Sequence, residues 1–379
     1  MSSSFTDRLL GRVKLTGWVS LAAPLLAILF AALVTAIVLT LTGNPVIDTF
    51  ITLVDYGSQP RSLVLIINNA TTYYLSAIAV AVGFRMNLFN IGVDGQYRLA
   101  GLVAAAVGGA VTLPAPFHPI LIILVAMLVG AAWAGIAGVL KATRGVSEVI
   151  STIMLNTIAT GIGAYLLLEH WGVQLSANDI GTKPIEPSGQ VSGLALIPGT
   201  QTKVFGLIFL AVAVGIGFHV LLNKTRFGFD LRATGRSEQA AVASGVNVKR
   251  MVVYAMLISG ATAGLIGMPQ LLGESHTYNL NFQAGLGFTG IAIALLGRNN
   301  PIGIAFGALL WGFLDVSSNI LDLHKISPEI VTIMQGVIVL SVVIAYELAH
   351  RYSVVAEQKR VSRQLAGAAS TTHKEGAAA

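Results

Sequence analysis

Long apolar runs, separated by short charged stretches, set the pattern of this chain. Charge-free segments cover Leu15–Ile47, Ser62–Phe84, Leu99–Leu140, Val149–Leu168, Val204–Asn223, Met251–Gly273 and Ile330–Tyr346. Each is near or above the roughly 20 residues an α-helix needs to cross the hydrocarbon core of a bilayer. Leu99–Leu140 is long enough for two spans, with Pro114, Pro116 and Pro119 supplying the turn between them. The pattern predicts an all-α polytopic membrane protein with about ten transmembrane helices. They fall near 18–42, 62–83, 97–113, 118–140, 148–168, 204–222, 251–272, 284–298, 301–322 and 329–349. The segment 284–298 is short enough to be re-entrant.

Composition agrees: 54% of residues are hydrophobic and 11% charged, and mean hydropathy is +0.76. Soluble domains average about 25% charged. The net charge of +6 does not call for a nucleic-acid polymer, because the basic residues lie between spans and in both tails. The positive-inside rule accounts for them and places both termini and the loops carrying Arg85, Arg98, Lys141, Arg144 and Arg298 in the cytoplasm. Residues 170–203 form the longest loop on the opposite side. The apolar run after Arg8, Arg12 and Lys14 is too long for a cleaved signal peptide and reads as a retained span. The Ala/Ser/Thr/Gly-rich end of the tail 351–379 is expected to be disordered. With no cysteine, disulfides and zinc–thiolate sites are excluded.

An internal repeat is visible. Ser151-Thr-Ile-Met154 matches Val331-Thr-Ile-Met334 at an offset of 180, and His118-Pro-Ile matches Asn300-Pro-Ile at 182. Five spans per half is an odd number, so this predicts a five-plus-five inverted repeat, an arrangement associated with transport.

One loop is long and basic. From Lys224 to Arg250 there are six basic residues against Asp230 and Glu238. Its centre, Gly235–Gly245, reads as a single short helix stopped by glycine, a docking handle for a soluble partner. The segment Phe84–Tyr97, with Asn90, Asp94 and Gln96, cannot continue a lipid-facing helix; it is either buried in protein or lining a cavity, or a cytoplasmic turn with Asp94 exposed. Asn68, Asn69, Thr71, Thr72 and Tyr73 form a polar patch inside the second span, and Asn156, Asp315, Asn319 and Gln335 stand isolated in others. Such groups face a bundle interior or a wet cavity. They either join helices by hydrogen bonds or line a translocation path, and the 68–73 cluster favours the path.

Gly285-Leu-Gly-Phe-Thr-Gly290 satisfies a dinucleotide-binding pattern but lacks the strand and the later acidic residue that give it meaning. There is no metalloprotease motif, nucleophile elbow or P-loop, so no catalytic residue, metal or cofactor is expected.

Three stretches carry a resemblance: Asn90-Ile-Gly-Val-Asp-Gly-Gln96, Gly228–Gly245 and Gly287–Arg298. With them the chain resembles the permease subunits of ATP-binding cassette (ABC) importers, in the family serving ribose-type sugars, branched-chain amino acids and nucleosides. It looks most like the nucleoside branch. The family motif has Glu where this chain has Asp94. The resemblance implies a permease domain over 18–350, preceded by a cytoplasmic segment 1–17. It makes 223–250 a coupling loop, in which Gly235, Arg236, Ser237, Glu238, Ala240, Ala241 and Gly245 meet a partner ATPase. It further implies a second permease chain, often non-identical, and a periplasmic or lipoprotein substrate-binding protein, all in the bacterial inner membrane amid its lipid. The path candidates are Asn68, Asn69, Thr72, Tyr73, Asn90, Asp94, Gln96, Asn156 and Gln335. Alternatives are a ribose-type sugar permease and an ion-coupled secondary transporter using Asp315.

Overall fold

The computed structural model describes residues 28–345 apart from 177 and 178, together with 347, 348 and 351. The N-terminal segment, the start of the first span and nearly all of the tail lie outside the described residues. The chain divides into two compact units. One comprises its two ends, with helices α1 (Ile28–Leu41) and α14 (Glu329–Ala345). The other is 47–328.

The larger unit contains α2 (Val46–Gly57), α3 (Pro60–Phe84), α4 (Val93–Ala110), α5 (Phe117–Arg144), α6 (Glu148–Leu166), α7 (Ile208–Lys224), α8 (Arg226–Arg236), α9 (Glu238–Ala243), α10 (Val248–Gly264), α11 (Met268–Gln270), α12 (Leu286–Leu296) and α13 (Pro301–Leu323). Among the described residues, five helical stretches are long and apolar enough to cross a membrane: Pro60–Phe84, Phe117–Arg144, Glu148–Trp171, Val248–Ser275 and Pro301–Leu323. The pair α7 and α8, bent by 73°, supplies a sixth if taken as one span. The fold is thus that of an all-α, multi-pass membrane protein, and these spans coincide with six of the predicted ones. The length test does not extend to the full count of ten among the described residues. α12 has 11 residues, roughly 16 Å of helix, about half the thickness of a hydrocarbon core.

Burial separates the helices by role. α3 and the Val248–Ser275 stretch are each 72% buried along their apolar windows, against 33% for α5 and 17% for Glu148–Trp171. The first two are interior; the others turn apolar faces outward. Ile120, Leu124 and Leu128 on α5, spaced four apart, and Ile150, Met154, Ile158 and Ile162 on α6 are exposed, as a lipid-facing stripe requires.

The interior pair packs with an exchange pattern. α3 lies against α12 and α13, while α10 lies against α4 and α5, and α3 and α10 touch each other. Small residues permit these approaches. A side chain at Gly260 would strike the Gly130 backbone, and one at Gly264 that of Ala126, so α5 and α10 meet backbone to backbone. On the other flank Gly312 of α13 faces Ile66 O and Ala70 of α3.

Two regions read from sequence as loops are folded. α2 buries Thr49, Leu53 and Gly57 at a spacing of four, and Gly57 sits under Phe313 and Ser317 of α13. The long loop after α6 contains an antiparallel hairpin, β1 (Gly172–Ser176) with β2 (Asp179–Thr182). It is pinned to the segment after α11 by Thr182 N–H to Tyr278 O at 2.8 Å, Ile185 N–H to His276 O at 2.9 Å and Val191 N–H to Leu272 O at 2.8 Å.

Candidate functional site

The basic loop is built as a corner. Thr225 ends α7 with extended backbone, and its hydroxyl accepts from Gly228 N at 3.1 Å, starting α8. The expected single helix over Gly235–Gly245 is two: α8 ends at Arg236, and Ser237, with φ −160° and ψ 112°, breaks the helical path. Ser237 then caps α9, its Oγ accepting from Ala240 N at 3.2 Å. A serine followed by Glu238 is a helix-start signal, and this one falls inside what sequence alone suggested was one element. α9 ends on Gly245 at φ +82°. Gly245 N–H donates to Val242 O at 2.9 Å and Val246 N–H to Ala241 O at 3.0 Å, the double closure of a Schellman ending.

Of the residues assigned to coupling, Arg236, Ser237, Glu238, Ala240 and Gly245 are exposed, whereas Ala241 is buried and anchors the short helix. Gly235 faces the molecule: a Cβ there would lie 2.5 Å from Arg85 O and 3.0 Å from Met86 Cα. The basic corner therefore rests on the backbone that leads into Asn90–Gln96. Arg85 continues the link, donating from Nε and Nη2 to Asn299 O at 3.1 and 2.6 Å.

The segment Asn90–Gln96 is a hub. Asn90 Nδ2 donates to Gln96 Oε1 at 3.0 Å and to Ser259 Oγ of α10 at 2.8 Å, while Asn90 Oδ1 accepts from Gly92 N at 3.1 Å and Gln96 Nε2 at 2.9 Å. Both amides are buried. Asn156 of α6 reads the same turn from outside, accepting from Gly95 N at 2.8 Å and donating to Ile91 O at 2.9 Å. Asp94 Oδ1 accepts from Gly285 N at 2.8 Å and Gly287 N at 3.4 Å. A carboxylate thus sits on the unpaired N–H groups at the start of α12, where the helix dipole favours negative charge. The glycines of 285–290 have packing reasons: Gly285 is left-handed at φ +86°, Gly287 abuts Asp94, and Gly290 abuts Ser76. Glu148 closes the outer side, paired with Lys141 at 2.6 Å and accepting from Phe89 N at 3.4 Å.

The polar patch on α3 divides. Asn68 is buried and holds an incoming chain: its Nδ2 donates to Lys203 O at 3.0 Å and its Oδ1 accepts from Phe205 N at 2.9 Å. Thr72 is buried and bonds back to Asn68 O at 3.5 Å. Asn69 and Tyr73, one turn apart, both donate to Asp315 Oδ2 of α13, at 3.1 and 2.9 Å. The Tyr73 hydroxyl also meets the Gln283 side chain. Asn69 and Asp315 are half-buried and Gln283 is exposed. Gln335 lies buried in α14, in the other compact unit. An apolar cleft of about 550 Å³ between α3, α7 and α13 takes Thr71 and Tyr74 from the other side of α3 and none of the path candidates. Ser259 and Gln283 were not singled out from sequence, and Asp315 reads there as an isolated polar residue within a span and as a possible ion-binding carboxylate, not as the partner of Asn69 and Tyr73.

Comparison with known proteins places these features in a family. The family model described as "Branched-chain amino acid transport system / permease component" matches residues 62–343. The guanosine ABC transporter permease protein NupP of Bacillus subtilis is 35% identical over 74% of this chain and 81% of its own. The nucleoside ABC transporter permease protein NupB of Lactococcus lactis is 31% identical over 85% of this chain and 90% of its own. The glucose ABC transporter permease protein TsgB13 of Haloferax volcanii is 29% identical over 90% and 92%. No solved structure matches significantly. The buried Asn90–Gln96 hub, the basic corner resting on it and the residues 62–343 matched by the family model lead to one conclusion: this chain belongs to the branched-chain amino acid transport system / permease component family, as a membrane permease of the ABC transporter type.

Proposed function

We propose that the chain is the permease subunit of an ATP-driven importer of nucleosides. It works in the bacterial inner membrane with both termini in the cytoplasm, beside a second permease chain that need not be identical. An ATPase subunit would hydrolyse ATP, a periplasmic or lipoprotein binding protein would deliver the solute, and this chain would do no catalysis itself. The observation that carries the solute is the 35% identity to a permease named for guanosine.

The mechanism follows from the corner. ATP-driven closure of the ATPases would push on the exposed Arg236–Ala240 stretch and α9. A six-residue helix capped at both ends transmits such a push with little bending. Gly235, seated on Arg85 and Met86, would pass it to the Asn90–Gln96 hub, which grips α4, α6, α10 and α12 at once. Those helices would then move as a group around the polar face of α3 and α13.

The glucose permease relative keeps a sugar importer as the second reading. Guanosine and glucose share adjacent ring hydroxyls and little else. Purification of the complex from its own membrane should bring down an ATPase. Vesicles holding that complex should take up radiolabelled guanosine in preference to glucose when ATP and the binding protein are supplied. Uptake of glucose alone would replace the solute and leave the importer; the absence of any ATPase would remove both.

A further inference from the structure

Asp315 lies roughly 21 Å along α13, deep within a helix long enough to span a membrane. Among the described residues no Lys or Arg pairs with it. Its two side-chain bonds, from Asn69 and Tyr73, both fall on Oδ2, so Oδ1 keeps its accepting capacity. The bond from Asn69 uses its Nδ2, which leaves the Asn69 Oδ1 as a second acceptor. Both residues are half-buried and Gln283 beside them is exposed, so this face is open on one side. One turn further along the same helix face stand Asn319 and then Asp322, both exposed. An ionisable group at such a depth is costly unless it serves a pathway. Two acceptors on directly hydrogen-bonded side chains, one of them charged, suit a ligand edge that offers two adjacent donors.

We propose that Asp315, oriented by Asn69 and Tyr73, is the solute-selecting group of this permease, accepting hydrogen bonds from the vicinal hydroxyls of a sugar ring. The assignment rests on the importer reading above and adds to it the atom that is read. A hydroxyl lost from the ligand leaves a partly desolvated acceptor without a partner, and a hydrogen bond to a charged group is worth about tenfold or more in affinity.

The test uses the whole complex in vesicles. Uptake of guanosine and of 2′,3′-dideoxyguanosine is measured for the native complex and for Asp315→Asn, with assembly checked by the co-purifying ATPase. The binding protein's own preference is common to both and cancels. The preference for guanosine should fall about tenfold in the variant; an unchanged preference overturns the proposal. If glucose is the solute transported, the solute reading fails, and the same comparison made with glucose and 2-deoxyglucose decides this one by the same outcomes. Should Asp315→Asn not assemble, Asn319→Cys serves in a chain that has no cysteine. Its labelling by a thiol reagent should be slowed by the diol-bearing solute and not by its deoxy analogue. Equal effects of the two, or no effect of either, overturn the proposal.

Discussion

Ser259 of α10 donates its hydroxyl hydrogen to Ala79 O of α3 at 2.7 Å, and the two positions are 180 residues apart in the chain. That separation equals the offset between Ser151-Thr-Ile-Met154 and Val331-Thr-Ile-Met334. The two bonded positions are therefore separated by the same interval as the two matching sequence stretches. The same hydroxyl accepts from Asn90 Nδ2 at 2.8 Å, so one atom joins both central helices to the buried turn.

Ser259→Ala should take one partner each from the buried Asn90 amide and the Ala79 carbonyl. Removing one partner of a buried hydrogen bond costs about 1–3 kcal/mol, and here two bonds go. The detergent-solubilised complex should unfold at lower temperature, while Ser244→Ala, on the exposed corner, should leave the midpoint in place. Equal midpoints for the two variants would show that the hub does not depend on this hydroxyl.

A second expectation concerns the left-handed residue that ends α9. Gly245→Val places a β-branched side chain at φ +82°, a strain of about 1–3 kcal/mol, and should fray the helix from its C-terminal end. ATP-dependent uptake should fall several-fold while insertion and yield persist. Gly245→Asn should retain most uptake, because asparagine tolerates that conformation. Loss of uptake in both variants alike would point to the side-chain volume at this exposed position rather than the backbone.

Gly235→Ala tests the seat of the corner. The new methyl would stand 2.5 Å from Arg85 O, closer than van der Waals contact allows, so the corner must lift. Hydrolysis by the partner ATPase should continue while uptake drops. A Gly235→Ala complex with native uptake would remove this contact from the transmission route.

How much of this was legible beforehand depends on the kind of signal. Spans were legible because a run of about 20 uncharged, apolar residues is the length of a bilayer crossing and is rare in water-soluble chains. The break at Asn90–Gln96 was legible because glycines and amides cannot continue a lipid-facing helix. The hub's partners were not, because Ser259 and Asn156 are single polar residues in apolar helices, and nothing local says that they point at a turn 169 or 65 residues away. α2 escaped notice since its buried positions are only Thr49, Leu53 and Gly57. The division of Gly235–Gly245 at Ser237 carried a capping signal that the alanine-rich stretch after it masked. The patch at 68–73 looked uniform in sequence, and only tertiary contacts divide it into a clasp and a face.

That division gives the last expectation. Asn68 and Asn69 are adjacent in sequence and identical in chemistry, yet helix geometry turns them about 100° apart. Asn68 holds the backbone at Lys203 and Phe205 through both ends of its amide, so Asn68→Ala should leave the buried Phe205 N–H and the part-buried Lys203 C=O without this partner and lower the yield and thermal midpoint of the complex. Asn69 spends one donor on Asp315 at a half-buried position, where water can replace it. Asn69→Ala should therefore assemble normally, keep ATP hydrolysis and lose uptake. Yield, midpoint and radiolabelled guanosine uptake, measured side by side, separate the two roles. If Asn69→Ala fails to assemble while Asn68→Ala transports, the clasp and the path have been assigned to the wrong residues.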